Sequence, residues 1–281
     1  MTALHEACLP DGPKVFAVRP QEVAPLYQQV QEYCRHGVRV REGDIVFDVG
    51  ANIGLFALWL RQSVGRNLTV YSFEPIPPVF EALRHNALRF DPEHWKVFRC
   101  GLGRRSGTAT FGYCTQVTAM SSVYPDASPA AVASLRNTIL RNADQWPRRV
   151  RWVRRLPGLL LRPLLDYFIR RALVTESVEC LVRTVSEVIR EQQVPHIDLL
   201  KVDVEKAELD VLEGVDAADW PLIRQVVVEV HDLDGRLARV TELLTENGFG
   251  TIAVDQEAFF RGSEIYNLYA RRAGRTNGAS C

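Results

Sequence analysis

The stretch Ile45-Val46-Phe47-Asp48-Val49-Gly50-Ala51-Asn52-Ile53-Gly54 decides how the rest of the chain is read. Its first five residues, apolar but for Asp48, predict a buried strand, and the glycines that follow predict a tight turn into a helix. Glycine has no Cβ and asparagine tolerates left-handed backbone, so such a turn lets backbone amides approach a ligand. Leu55 stands where the third glycine of G-x-G-x-x-G would fall, which weakens a dinucleotide reading. An ordinary strand-to-helix turn is the plain alternative for this segment.

Outward from this turn, short apolar runs alternate with amphipathic ones. Strands are predicted at Ile45–Val49, Thr69–Phe73, Lys96–Cys100, Asp198–Val202 and Gln225–Val230, and helices around Leu55–Gln62, Pro78–Leu88, Glu208–Glu213 and Arg236–Glu246. Asn247-Gly248 supplies a C-terminal stop for the last of these helices. Right-handed crossovers then give an α/β, Rossmann-like, doubly wound sheet. Thr251–Val254 and Tyr266–Ala270 are joined by a loop too short for an ordinary crossover helix, which predicts a C-terminal antiparallel hairpin on a mostly parallel sheet. Residues 118–175 hold proline, arginine and leucine but no convincing strand, and read as a helical insertion. Residues 1–43, proline-rich around a helix at Tyr27–Cys34, read as an entry segment without chemical motif, packed on a main domain of 44–281.

Strand ends carry the chemistry in such sheets. Twenty residues after Gly54, the second strand ends in Glu74-Pro75, where a carboxylate can accept from both hydroxyls of a ribose; a solvated strand-end acid is the plain alternative. The third strand runs into Cys100-Gly101-Leu102-Gly103, small enough to face an adenine ring or to be a simple loop. The fourth and fifth deliver Lys201-Val202-Asp203-Val204-Glu205 and Glu229-Val230-His231-Asp232. Alternation projects Asp203 with Glu205, and Glu229 with His231.

Together these pieces resemble the FkbM family of S-adenosylmethionine (SAM)-dependent methyltransferases, found in bacterial natural-product pathways and as domains of polyketide and peptide assembly lines. The matching runs are Asp48 to Gly54, Phe73-Glu74-Pro75, Leu199 to Glu205 and Val228 to Asp232; many relatives have glycine where Lys206 stands here. The resemblance implies a class I methyltransferase sheet, SAM as cofactor and methyl transfer to a hydroxyl of a polyketide or mixed peptide intermediate. A sugar or glycolipid hydroxyl, or a SAM-binding module without turnover, are the alternatives. Asp48, Gly50, Asn52, Gly54, Glu74, Gly101 and Asp203 are then the expected cofactor contacts. Methyl transfer to an alcohol needs alignment and removal of a proton, and histidine titrates near neutrality, so His231 is the expected base. Asp203 would orient the cofactor's ammonium or the acceptor, and Glu205 or Glu229 would fix the imidazole tautomer. Asp203 and Glu205 also suit a helix N-terminus, and Asp203, Glu229 and His231 have the chemistry of divalent-ion ligands, although no metal is expected.

Composition limits the partners. Lysine plus arginine and aspartate plus glutamate each number 34, leaving no global field for nucleic acid. Six scattered cysteines form no C-x-x-C pair, and neither a leader-like opening nor a spanning apolar run is present, so a reduced, cytoplasmic protein without integral membrane contact is expected. Arg136 to Arg171 holds ten arginines against two aspartates, a local balance of about +8, interleaved with Trp146, Trp152, Tyr167 and Phe168. A basic, aromatic lid of this kind suits docking of an acyl carrier protein that presents a tethered acceptor, contact with an anionic membrane, or simple packing as a solvated cap.

Overall fold

The computed structural model describes residues 3–10, 12–143, 152–153 and 156–272. An antiparallel pair, β1 (His5–Cys8) and β2 (Lys14–Ala17), leads into α1 (Pro20–Gln29) and a 3₁₀ turn at Val30–Tyr33. The helix therefore begins seven residues ahead of the predicted Tyr27 start. Pro20 sits in its first turn, where a missing N–H leaves no bond unmade.

The central part then alternates as the apolar pattern requires: β3 (Ile45–Val49), α2 (Leu55–Ser63), β4 (Thr69–Phe73), α3 (Pro77–Phe90) and β5 (Trp95–Phe98). After β6 (Gly101–Leu102), β7 (Gly107–Cys114), α4 (Pro129–Arg141), α5 (Gly158–Ala172), β8 (Thr175–Arg183) and α6 (Val185–Glu191), the alternation resumes with β9 (Leu199–Val202), α7 (Glu208–Glu213), β10 (Gln225–His231), α8 (Arg236–Glu246), β11 (Thr251–Asp255) and β12 (Ile265–Arg271). The seven-stranded sheet has the order β11-β12-β10-β9-β3-β4-β5. All its neighbours pair in parallel except at β12, which lies antiparallel between β10 and β11. The expected C-terminal hairpin is thus present, and its second strand is the one that docks on the parallel sheet. Strand order reverses between β3 and β9, and crevices at such reversals are where open α/β sheets bind ligands.

Period-two alternation splits the core into two layers. Val46, Val70, Leu199 and Val227 face α2, α3 and the entry segment, including Leu9, Val15 and Tyr33. Phe47, Phe73, Leu200 and Val228 face the other way, in the same cluster as Val188 of α6, Leu212 of α7 and Val240 of α8. The entry segment is consequently part of the first core layer.

The chain from 118 to 175 holds α4, α5 and a 3₁₀ turn at Thr118–Met120. It hangs on an antiparallel stalk, β7 paired with β8 from Gly107↔Val182 to Cys114↔Thr175, that sequence patterning did not reveal. Two glycines in β7 and the charged residues Glu176 and Glu179 in β8 mark a half-exposed ribbon rather than a buried strand.

Gly54, expected at the cofactor, has a structural reason to be glycine. Its φ is +89°, and a Cβ there would lie 2.4 Å from the ring of Trp95, which is buried and donates its indole N–H to Ser72 Oγ at 2.9 Å. Gly54→Ala should therefore destabilise the fold by about 2–4 kcal/mol, combining left-handed strain with overpacking. Urea denaturation checks this; an unchanged midpoint would refute it.

Candidate functional site

A cavity of about 610 Å³ opens at the carboxyl ends of β3, β4, β9 and β10. Its floor is the glycine turn. Gly50 has φ +74°, and a Cβ on it would fall 1.8 Å from the carbonyl oxygen of Asp203, so only glycine fits. Asn52 is left-handed at φ 48°. Its side-chain oxygen accepts from the Ile53 amide at 2.8 Å, and its own backbone amide donates to Glu74 Oε2 at 3.1 Å. The other Glu74 oxygen accepts from the Ile76 amide at 2.9 Å. Burial outweighs these bonds and pushes the Glu74 carboxyl up to about 7.

The β3–β9 register sets Asp48 opposite Lys201. In parallel strands such partners lie on one face, and Lys201 Nζ reaches Asp48 Oδ1 at 3.0 Å, Gly50 O at 3.0 Å and Asp203 Oδ2 at 3.5 Å. Burial alone would lower the Lys201 pKa, but Asp48 and Asp203 raise it. Asp48 does not line the cavity; it neutralises Lys201, which does. Lys201 was missed because its role depends on which strand lies beside β9. A lone lysine in an otherwise apolar strand run was the available signal.

The entry segment, expected to carry no chemistry, forms one wall. The Tyr33 hydroxyl donates to Asp203 Oδ2 at 2.8 Å, and the Gln29 side-chain amide donates to Glu229 Oε2 at 3.1 Å. Glu22 accepts from the Thr118 amide at 3.1 Å and its hydroxyl at 2.6 Å, while Asn52 Nδ2 donates to Thr118 Oγ1 at 3.3 Å. Helix α1, the start of the insertion and the glycine turn are thus tied at one point.

His231 closes the far side. Its Nδ1 lies 2.6 Å from Glu208 Oε1 and its Nε2 lies 3.2 Å from Glu205 Oε2. Glu208 is fully buried and is itself held by the Lys206 amide at 2.9 Å and Arg236 Nη1 at 3.3 Å. Burial by itself would depress the imidazole pKa, but Glu205 and Glu208 raise it well above the ordinary histidine range. The second carboxylate that fixes the ring is therefore Glu208, not Glu229, because the first turn of α7 folds back under β10. Glu229 pairs with Gln29 instead, and burial and the nearby Asp203 raise its pKa well above the usual carboxylate range.

Of the expected site residues, Gly50, Asn52, Glu74, Asp203, Glu205, Glu229 and His231 line one cavity. Asp48, Gly54 and Gly101 do not. Gly101 lies in β6, where its missing Cβ makes room for the Phe111 ring 3.1 Å away, and Phe111 reaches the cavity in its place. Among the described residues no group of three or more His, Cys, Asp or Glu could hold a metal ion. Of the basic run, Trp146, Arg148, Arg149 and Arg151 lie outside the described residues.

Glu74 ties the fold to pH. Its carboxyl titrates near 4.5 unfolded and about 7 folded. A raised folded pKa contributes stability that is complete below about 4.5 and lost as pH rises through about 7. Glu74→Gln, which mimics the neutral acid, should remove this part of the decline. Thermal midpoints of both chains across that window test it, and parallel curves would refute it.

Comparison with known proteins follows the same outline. The family model for the Methyltransferase FkbM domain matches residues 48–250. The chain is 40% identical over 267 residues to the 31-O-demethyl-FK506 methyltransferase FkbM of Streptomyces tacrolimicus, covering 94% of this chain and 95% of that protein. It is 33% identical to the AMB antimetabolite synthetase AmbE of Pseudomonas aeruginosa over 96% of its own length but only 12% of the synthetase. A third relative, methyltransferase sdnD of Sordaria araneosa, is 28% identical, with 83% of this chain and 85% of that protein covered.

Proposed function

The chain belongs to the FkbM methyltransferase family, and from that premise we propose that it is a SAM-dependent O-methyltransferase acting on a hydroxyl of an apolar natural-product intermediate, free or tethered to a carrier protein. The observation that carries this reading is the convergence on one cavity, at the strand-order reversal, of Glu74, Asp203 and His231, the last held from behind by Glu208.

The residues present fit SAM. Glu74 stands at the end of β4 with lone pairs left for a ribose diol, since each oxygen accepts only one backbone amide. Gly50 and Ala51 of the glycine turn line the cavity, where backbone can lie close to a ligand. Asp48 and Lys201 cancel, so Asp203 faces the cavity as unbalanced negative charge suited to the cofactor's ammonium or sulfonium. SAM, when bound, supplies an electrophilic methyl group on a cationic sulfur. Asp203 is aligned for this by Tyr33 and Lys201 rather than by its own loop.

On the acceptor side, Leu26, Val30, Met120, Leu135, Phe259 and Phe260 supply an apolar wall, which favours a lipophilic acceptor over a sugar. Glu208 holds Nδ1 of His231 and so directs Nε2 towards the cavity, where an acceptor hydroxyl can displace Glu205. With both carboxylates beside it the ring holds its proton more tightly than an ordinary histidine, and it can accept the acceptor's proton only after losing its own. Activity should therefore rise with pH through a value above the usual histidine range.

No helix among the described residues is long and apolar enough to cross a membrane. A cytoplasmic location is the reading that the unpaired cysteines support, Cys100 and Cys114 among them, since thiols stay reduced in that compartment.

His231→Ala should lower methyl transfer by about 10²–10⁴ while leaving S-adenosylhomocysteine affinity nearly unchanged. Single-turnover kinetics beside calorimetric titration separate the two, and undiminished turnover would remove His231 as the base. Tyr33→Phe should do the reverse, weakening S-adenosylhomocysteine binding more than the chemical step, because Asp203 loses its hydroxyl partner. Calorimetry on that variant checks it; wild-type affinity would show that Tyr33 does not position the carboxylate.

A further inference from the structure

Helix α5 carries two apolar stripes where a helix on a domain surface needs one. Leu161, Leu165 and Ile169, spaced four apart, face inward, and Ile169 and Leu165 pack with Val132 and Leu135 of α4. On the opposite side Leu160, Leu164 and Tyr167 repeat at i, i+4 and i+7, with exposures of 57%, 38% and 58%, flanked by Leu159 at 87% and Phe168 at 56%. A contiguous exposed patch of such side chains marks an interaction surface, since water gives it no favourable contact.

Charge on the same helix narrows the partner. Arg162, Arg170 and Arg171 are exposed, and among the described residues none has a carboxylate within ion-pair distance. The helix's one acid, Asp166, is already bound by Arg136 at 2.8 Å. A second copy docked face to face would set these arginines against each other. An anionic bilayer instead receives both features at once: leucine and aromatic side chains enter the acyl boundary while arginines extend to the phosphates.

We propose that α5 is an interfacial helix that seats the protein on an anionic lipid surface. The helix is followed by Leu173, which lines the cavity, so the seated element is also part of the acceptor wall. Seating depends on the outer face of α5 alone and stands apart from the reaction proposed above.

The test is sedimentation of the full chain with vesicles of phosphatidylglycerol and phosphatidylcholine, against phosphatidylcholine alone. The wild-type chain should pellet with the anionic vesicles and be released by salt. Leu160→Glu/Tyr167→Glu should stay in the supernatant with an unchanged thermal midpoint. Should that chain misfold, Arg170→Gln and Arg171→Gln keep the test readable, each lowering partition roughly fivefold. Failure of the wild type to pellet, or undiminished pelleting of folded variants, overturns the proposal. So does a dimer in vesicle-free solution that Leu160→Glu/Tyr167→Glu abolishes, because a second copy would then cover the face.

Discussion

Lys201 places a positive charge in the middle of a parallel sheet, with 2% of its surface exposed, and the site is arranged around satisfying it. Removing a charge from water costs several kcal/mol unless close partners replace the lost hydration. Asp48, Asp203 and the Gly50 carbonyl are those partners, and the Tyr33 ring lies 5.2 Å beneath the ammonium. Such a group adds little net stability but accepts few geometries. It therefore registers β3, β9, the glycine turn and the entry segment against one another.

The cavity is closed by three regions distant in sequence. Tyr33 and Gln29 come from ahead of the family-matched residues, Thr118 and α4 from the insertion, and Phe259 and Phe260 from the turn between β11 and β12. Strand ends supply Glu74, Asp203 and His231, while these additions bring most of the apolar lining, Leu26, Val30, Leu135, Phe259 and Phe260 among it. The Glu22–Thr118 contact joins two of the additions, and the same Thr118 hydroxyl reaches Asn52 of the glycine turn.

Much of this was legible in the chain alone. β3 and β4, α7 and α8 fall at their predicted bounds because buried strands and two-sided helices differ in period. The left-handed backbone of Asn52 was readable from residue type and position. The left-handed backbone of Lys206, at φ 72° with its amide on Glu208 and its carbonyl on Arg236, was not. Register and helix direction were not legible. They decide that Asp48 meets Lys201 instead of a ligand, and that Glu208 rather than Glu229 meets His231. The β7–β8 stalk escaped notice for a related reason, since a ribbon exposed on one side mixes charges and glycines into its pattern.

The contact between Gly50 and the Asp203 carbonyl has a mechanical consequence. A Cβ at Gly50 would force the loop after β3 away from the loop after β9, because the two pack backbone to backbone there. Glu74 is bonded to the first loop and Asp203 stands on the second, so a side chain at that one position would disturb both carboxylates together. The walls supplied by α4 and by Phe259 and Phe260 lie outside these two loops.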